Sequence, residues 1–264
     1  MDLKAAPPLD VRILVSNMNK SAVRYTCVTC GICCKERLIP LTIKEAEQWL
    51  VRGDDVAIIL EAFSLSVLPD KSPEFIHNSS RAATVNTGSQ RVNVIAIFTA
   101  NALNQCPHLQ EDNLCGIYEE RPLVCRIYPM EINPFIELRE GNKVCPPESW
   151  ESGEILCSDG IANPPLQRLI SQSRQADIKD AFAKVAICEA LGMTVASWKS
   201  EGLAVYFPES DALLAAIRAS NTKGFTLSEQ WSIRTDNQER RHQLAESGVL
   251  LAPDNANNYI YQTL

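Results

Sequence analysis

The sequence predicts an α+β fold, with a small cysteine-rich domain of short strands and helices followed by a mainly α-helical C-terminal region. Three observations predict it. Eight of the ten cysteines of this 264-residue chain lie between Cys27 and Cys145. In the same part, stretches of alternating apolar residues are interleaved with stretches of helical spacing. Past residue 165 the apolar positions recur chiefly at helical spacing. The turn-rich segment Asp159-Gly160-Ile161-Ala162-Asn163-Pro164-Pro165 marks the boundary. Residues 1–160 are read as the cysteine-cluster domain and 161–264 as the helical region.

The elements follow in chain order. Val11 to Val15 and Val23 to Thr26 have strand composition and lead into the first cysteines. Thr42 with Glu45 three residues on is a capping box, and Ile43, Ala46 and Leu50 then recur at helical spacing until Gly53. Asp55 to Phe63 is read as a second short helix. Between Arg81 and Phe98 the period changes to two, with Val92, Val94, Ala96 and Phe98 on one side and Thr87-Gly88-Ser89 as the turn of a hairpin. Phe135 to Val144, interrupted by Gly141-Asn142, is read as another hairpin. Asn163 can cap a helix that begins on two prolines, and Leu166 to Leu191 then fits one or two amphipathic helices. Ala212 to Ile217 and Gln238 to Leu244 are further helical pieces.

Composition narrows the chemistry. A hydrophobic content of 45% is enough for a real core. A formal net charge of −7, with no run of five or six like charges, offers no footprint for nucleic acid or an anionic membrane. The first residues lack an apolar signal-peptide core, and no stretch reaches the roughly 18 apolar residues of a membrane span. The expectation is a cytoplasmic protein, where thiols stay reduced and clustered cysteines act as metal ligands or redox groups.

The first cluster is Cys27-Val28-Thr29-Cys30-Gly31-Ile32-Cys33-Cys34. Packing gives no reason to gather four thiols in eight residues, whereas a tight loop can turn them onto one centre, with Gly31 supplying backbone freedom. Cys106, Cys115, Cys125 and Cys145 form a second group, and prolines within a few residues punctuate all but Cys115. These eight cysteines are the predicted metal ligands. In an extended chain neighbouring side chains point to opposite sides, so Cys33 and Cys34 are not expected to share one tetrahedral ion. One centre with spare thiols and two centres of four both remain open. Arg121 and Arg126 flank Cys125 and are candidate cofactor-binding residues, since cations offset the charge of a thiolate-ligated cluster. Thiolates suit zinc and iron-sulfur alike. The Cys27, Cys30, Cys33 spacing and the prolines after Cys106 and Cys145 tilt the reading to an iron-sulfur (4Fe-4S) cluster. His108 can complete a mixed Cys/His site but is read first as an exposed turn histidine, Cys188 is read as core, and Cys157 as either loop thiol or spare ligand.

Together with Leu109, Ile117-Tyr118, Arg121-Pro122, Arg126, Tyr128-Pro129 and Pro146, these cysteines resemble the CxxCxxCC family of zinc- or iron-chelating proteins, also called YkgJ-type cysteine-cluster proteins. The resemblance covers about 120 residues. It implies a bacterial, cytoplasmic metal-binding domain, distantly related to flagellin lysine N-methylases that carry an iron-sulfur cluster.

Three functions compete. The first is a metal-binding module with a structural, sensing or electron-transfer role. The second is an iron-sulfur protein lysine N-methyltransferase acting on a protein substrate with S-adenosylmethionine. No glycine fingerprint of a Rossmann domain, phosphate loop or GxSxG elbow supports a cofactor or hydrolase reading. The third is a thiol-disulfide oxidoreductase using Cys27/Cys30 or Cys30/Cys33, which the crowding of cysteines and the lack of a thioredoxin-like pattern disfavour. An absorption spectrum with metal analysis separates iron-sulfur from zinc, and binding of S-adenosylmethionine tests the second function.

Overall fold

A computed structural model describes residues 22–64, 72–220, 225–254 and 258–264. In chain order the elements are β1 (Ala22–Tyr25), β2 (Lys35–Leu41), α1 (Ile43–Val51), β3 (Val56–Ser64), α2 (Pro73–Ser80), β4 (Ala83–Thr87) and β5 (Gln90–Gln105). After them come α3 (Leu123–Ile127), β6 (Glu154–Ser158), β7 (Ile161–Ala162), α4 (Pro164–Ala190), β8 (Val195–Trp198) and β9 (Gly202–Tyr206). The chain closes with α5 (Ser210–Ser220), β10 (Ser232–Arg234), α6 (Gln238–Glu246) and β11 (Ile260–Thr263). Helices and strands are mixed throughout, as an α+β fold requires, and helices make up most of the regular structure after residue 161. The expected strand at Val11 to Val15 lies outside the described residues.

The chain divides into two compact units that alternate along it. The first takes the residues up to Lys35 and His108–Arg174, and the second takes Glu36–Pro107 and Gln175–Leu264. The boundary expected near residue 160 falls inside the first unit.

In the first unit β1, β6 and β7 make a three-stranded antiparallel sheet. Its core gathers Val23, Leu123, Ile127, Met130, Leu138, Trp150, Cys157, Ala162, Leu166 and Ile170. Asn163 caps α4 by accepting the Leu166 N–H at 3.0 Å, and the prolines at its start leave no helical N–H unmet.

The second unit is built on an eight-stranded sheet in the order β10-β8-β3-β5-β2, with β4 on β5, β9 on β3 and β11 on β9. The expected hairpin is present: Thr87 faces Gln90 across a two-residue turn in which Gly88 takes a φ of 58°. The Thr42 capping box is also present, with Thr42 and Glu45 bonding each other's backbone N–H at 3.2 and 2.9 Å.

Two elements differ from expectation. Asp55 to Phe63 is not a helix but most of the central strand β3, paired with β5 on one side and β8 and β9 on the other. Val56, Ala57, Ile58, Leu60 and Ala62 are all buried, and a strand covered on both faces reads as a continuous apolar run with no period of its own. Phe135 to Val144 forms no hairpin, and Glu140–Asn142 is a single 3₁₀ turn. There the alternation is interrupted by charged residues, and Phe135, Ile136 and Val144 stay exposed.

Phe98 faces Ile58 across β3 and β5 and has no exposed surface. Phe98→Ala is expected to lower the unfolding free energy by about 3–5 kcal/mol, measured as a fall in the urea midpoint followed by tryptophan fluorescence.

Candidate metal centre

The first cysteine loop is anchored at its root. β1 pairs with β6 through Val23 and Cys157, and just beyond it the Thr26 N–H donates to the Ser149 carbonyl at 2.9 Å. Gly153 allows this approach. Its φ is 97°, and a Cβ there would stand 2.4 Å from the Tyr25 carbonyl oxygen, so only glycine fits. The root of the Cys27 loop is thereby tied to the segment that follows Cys145.

Within the loop two residues take left-handed backbone, Thr29 at φ 51° and Gly31 at φ 71°. The glycine bears out the freedom expected of it. Thr29 does not follow from composition, and its Cβ makes the conformation costly. Ile32–Cys34 then closes a 3₁₀ turn, with the Cys34 N–H donating to the Gly31 carbonyl at 3.1 Å. This turn overturns the extended-chain argument about Cys33 and Cys34. With three residues per turn, neighbouring side chains differ in direction by about 120° rather than pointing to opposite sides. The two sulfurs are 3.9 Å apart.

Cys115 sits on a small hairpin over 108–116. The Gly116 N–H donates to the His108 carbonyl at 2.8 Å, the Gln110 N–H to the Leu114 carbonyl at 2.9 Å, and Leu109 bridges to Cys115. The turn of this hairpin meets the first loop. A Cβ on Gly31 would lie 2.7 Å from Oδ1 of Asn113, so the glycine that shapes the Cys27 loop also makes room for the hairpin.

Cys145 is held by two tyrosines. The Tyr25 and Tyr128 hydroxyls lie 3.3 and 3.2 Å from its Sγ. Burial, then the hydrogen bond and charge of Cys145, then Cys27 and Tyr128, push the Tyr25 phenol far above its usual value. Its hydroxyl therefore stays protonated, and a hydrogen bond joins it to the sulfur. Rings brace the arrangement: Tyr25 meets Tyr128 edge-on at 6.5 Å and Trp150 at 5.2 Å. Lys143 stands 5.5 Å over the Tyr128 ring and pairs with Glu131 at 2.6 Å.

The other candidates are more dispersed. Cys125 lies on α3, three residues before Tyr128. Arg121 stacks on the Tyr118 ring at 3.6 Å and donates to its carbonyl at 2.8 Å, while Arg126 is exposed. Cys106, directly after β5, is buried and belongs to the second unit. His108 is half-buried. Cys157 is a core residue of the first unit, and Cys188 is fully buried.

None of the ten cysteines is in a disulfide, and Cys27, Cys30, Cys33, Cys34, Cys115, Cys125 and Cys145 are exposed or half-exposed. Among the described residues no three His, Cys, Asp or Glu side chains are gathered closely enough to hold an ion. The donors fit a soft metal by their chemistry, and packing alone does not close them into a cage. The sequence marks Tyr128 only as part of the family pattern and gives Tyr25 and Gly153 no role at the site. A tyrosine near a cysteine carries no signal of its own until the fold brings the two together across 120 residues.

Seven accessible thiols, most of them on loops, are thus gathered in the part of the chain from Cys27 to Cys145. Residues 26–146, a little under half of the chain, match the model of the CxxCxxCC family, described as a putative zinc- or iron-chelating domain. Neither a curated protein nor a solved structure matches the chain. No helix among the described residues is long and apolar enough to cross a membrane.

Gly153→Ala is expected to cost about 1–3 kcal/mol through the clash with Tyr25, seen as a lower melting temperature. A second outcome concerns the buried thiols. Burial raises the pKa of Cys157 and Cys188. Raised folded values favour the protonated thiol, so their contribution to stability is whole below the ordinary thiol pKa of about 8.5 and fades as pH rises beyond it. At pH 8 iodoacetamide should label the seven accessible thiols well before these two, as read by mass spectrometry of the digest.

Proposed function

We propose that the first unit is a metal-chelating domain in which Cys33 and Cys34 bind the same zinc or iron ion. The separation of their sulfurs carries this reading. Zinc–thiolate bonds of about 2.3 Å set the edge of a sulfur tetrahedron at about 3.8 Å, and the two sulfurs are 3.9 Å apart. In a 4Fe-4S cluster each thiolate takes its own iron, which spreads the sulfurs further. The distance therefore favours a single ion over the cubane that the cysteine spacing suggested.

Cys27, Cys30, Cys115, Cys125 and Cys145 supply the remaining donors in this reading. The Gly31–Asn113 approach and the Tyr25–Cys145 bond support their nearness to the pair. The thiolates repel one another, and a cation that offsets this repulsion draws the loop, the hairpin and Cys145 together, so that binding and ordering are one event. Tyr25 and Tyr128 act on the sulfur of Cys145 as donors, which orients a ligand and tempers its charge. Arg121 and Arg126, the cations nearest Cys125 in the chain, offset the excess negative charge of the thiolates. A bound ion supplies structure if it is zinc, and one-electron chemistry if it is iron.

After anaerobic purification the chain should hold metal, colourless if zinc and absorbing in the visible if iron. Cys30→Ser or Cys125→Ser should lose it, whereas Cys188→Ser should keep it. Equal metal content in all three variants would refute the assignment.

A further inference from the structure

We infer that Cys33 and Cys34 are also a redox site, closing reversibly into a disulfide between adjacent residues under a small-molecule disulfide oxidant. The sulfurs are 3.9 Å apart, and both residues are half-exposed. They are flanked by the exposed Ile32 and Lys35, which leaves the pair open to a soluble reagent. The turn that carries them is held by i→i+3 bonds from Cys34 N–H to the Gly31 carbonyl and from Lys35 N–H to the Ile32 carbonyl, so closure disturbs little regular structure.

The step balances. The Cys33 thiolate attacks one sulfur of the oxidant and expels the first thiolate, which takes up a proton. The Cys34 thiolate then attacks Sγ of Cys33 and expels the second. Two protein thiols lose two electrons, and one external disulfide becomes two thiols. Adjacent Cα atoms are about 3.8 Å apart, closer than the roughly 4.4–6.8 Å of ordinary disulfides, so the ring is strained and readily reduced. Strained, accessible bridges are the labile ones. The consequence for the ion rests on the chelation reading above: a bridge takes away two donors at once, and oxidation then releases the metal.

The test uses the full-length, metal-free chain with Cys27→Ser and Cys30→Ser, exposed to glutathione disulfide, alkylated and digested with trypsin. The peptide Tyr25–Lys35 then holds only these two cysteines. It should be lighter by two hydrogens, carry no glutathione, and regain both thiols with dithiothreitol. With Cys34→Ser added it should instead carry one glutathione on Cys33. Should the double variant fail to fold, fragmentation of the oxidised wild-type peptide serves, with backbone cleavage visible between Cys30 and Cys33 but silent between Cys33 and Cys34. Two unreacted thiols, two glutathiones, or a cross-link to Cys115, Cys125 or Cys145 would overturn the inference. Metal analysis of the reduced wild-type chain keeps the two ideas apart. A ring in a chain that never holds metal refutes chelation alone, and metal without a ring refutes the redox site alone.

Discussion

The tie between the end of β1 and the segment after Cys145 is the constraint on which the cysteine cluster depends. The thiols are too exposed to be placed by burial, so backbone bonds at the roots of their loops must place them. Thr26 bonded to Ser149, β1 paired with β6, and the close approach at Gly153 do this together. The side of the strand that faces inward adds Val23 to the core, and the residue that follows in register brings Tyr25 to Cys145. Packing and chemistry thus share one short strand.

The core of the first unit is small, and two kinds of cysteine are divided around it. Cys157 packs with Val23, Leu166 and Ile170 and behaves as an apolar residue, while Cys145 touches the same core only partly and offers its sulfur to two hydroxyls. A body with so little buried apolar surface gains from any further cross-link, and cation binding by loop thiols is one that needs no additional residues. The elements that hold the loops are correspondingly local: a 3₁₀ turn, a nine-residue hairpin and a five-residue helix.

Much of this was legible in the sequence because it is set by neighbours a few residues away. The Thr42 capping box, the Gly88 turn, the Asn163 cap and the left-handed Gly31 each follow from a side chain and the backbone beside it. What was not legible depends on distant partners. Val56 to Phe63 became a strand because β5, β8 and β9 pair with its two edges, and its continuous apolar run has no period that separates a buried strand from a buried helix. The geometry of Cys33 and Cys34 was misjudged for the opposite reason, since it depends on a turn too short to leave a periodic signal. The cysteines themselves stood out, whereas the bonds of two tyrosines to one of them did not.

The interleaving of the two units along the chain limits how the cysteine region can be isolated. A polypeptide ending at residue 160 would keep β3 and β5 but lose β8 and β9, which pair with the far side of β3. The bare edge would run Val56-Ala57-Ile58-Ile59-Leu60, an uncharged and strongly β-prone sequence of the kind that recruits other chains. Such a fragment would be driven to self-associate by a strand that has no part in the chemistry of its thiols.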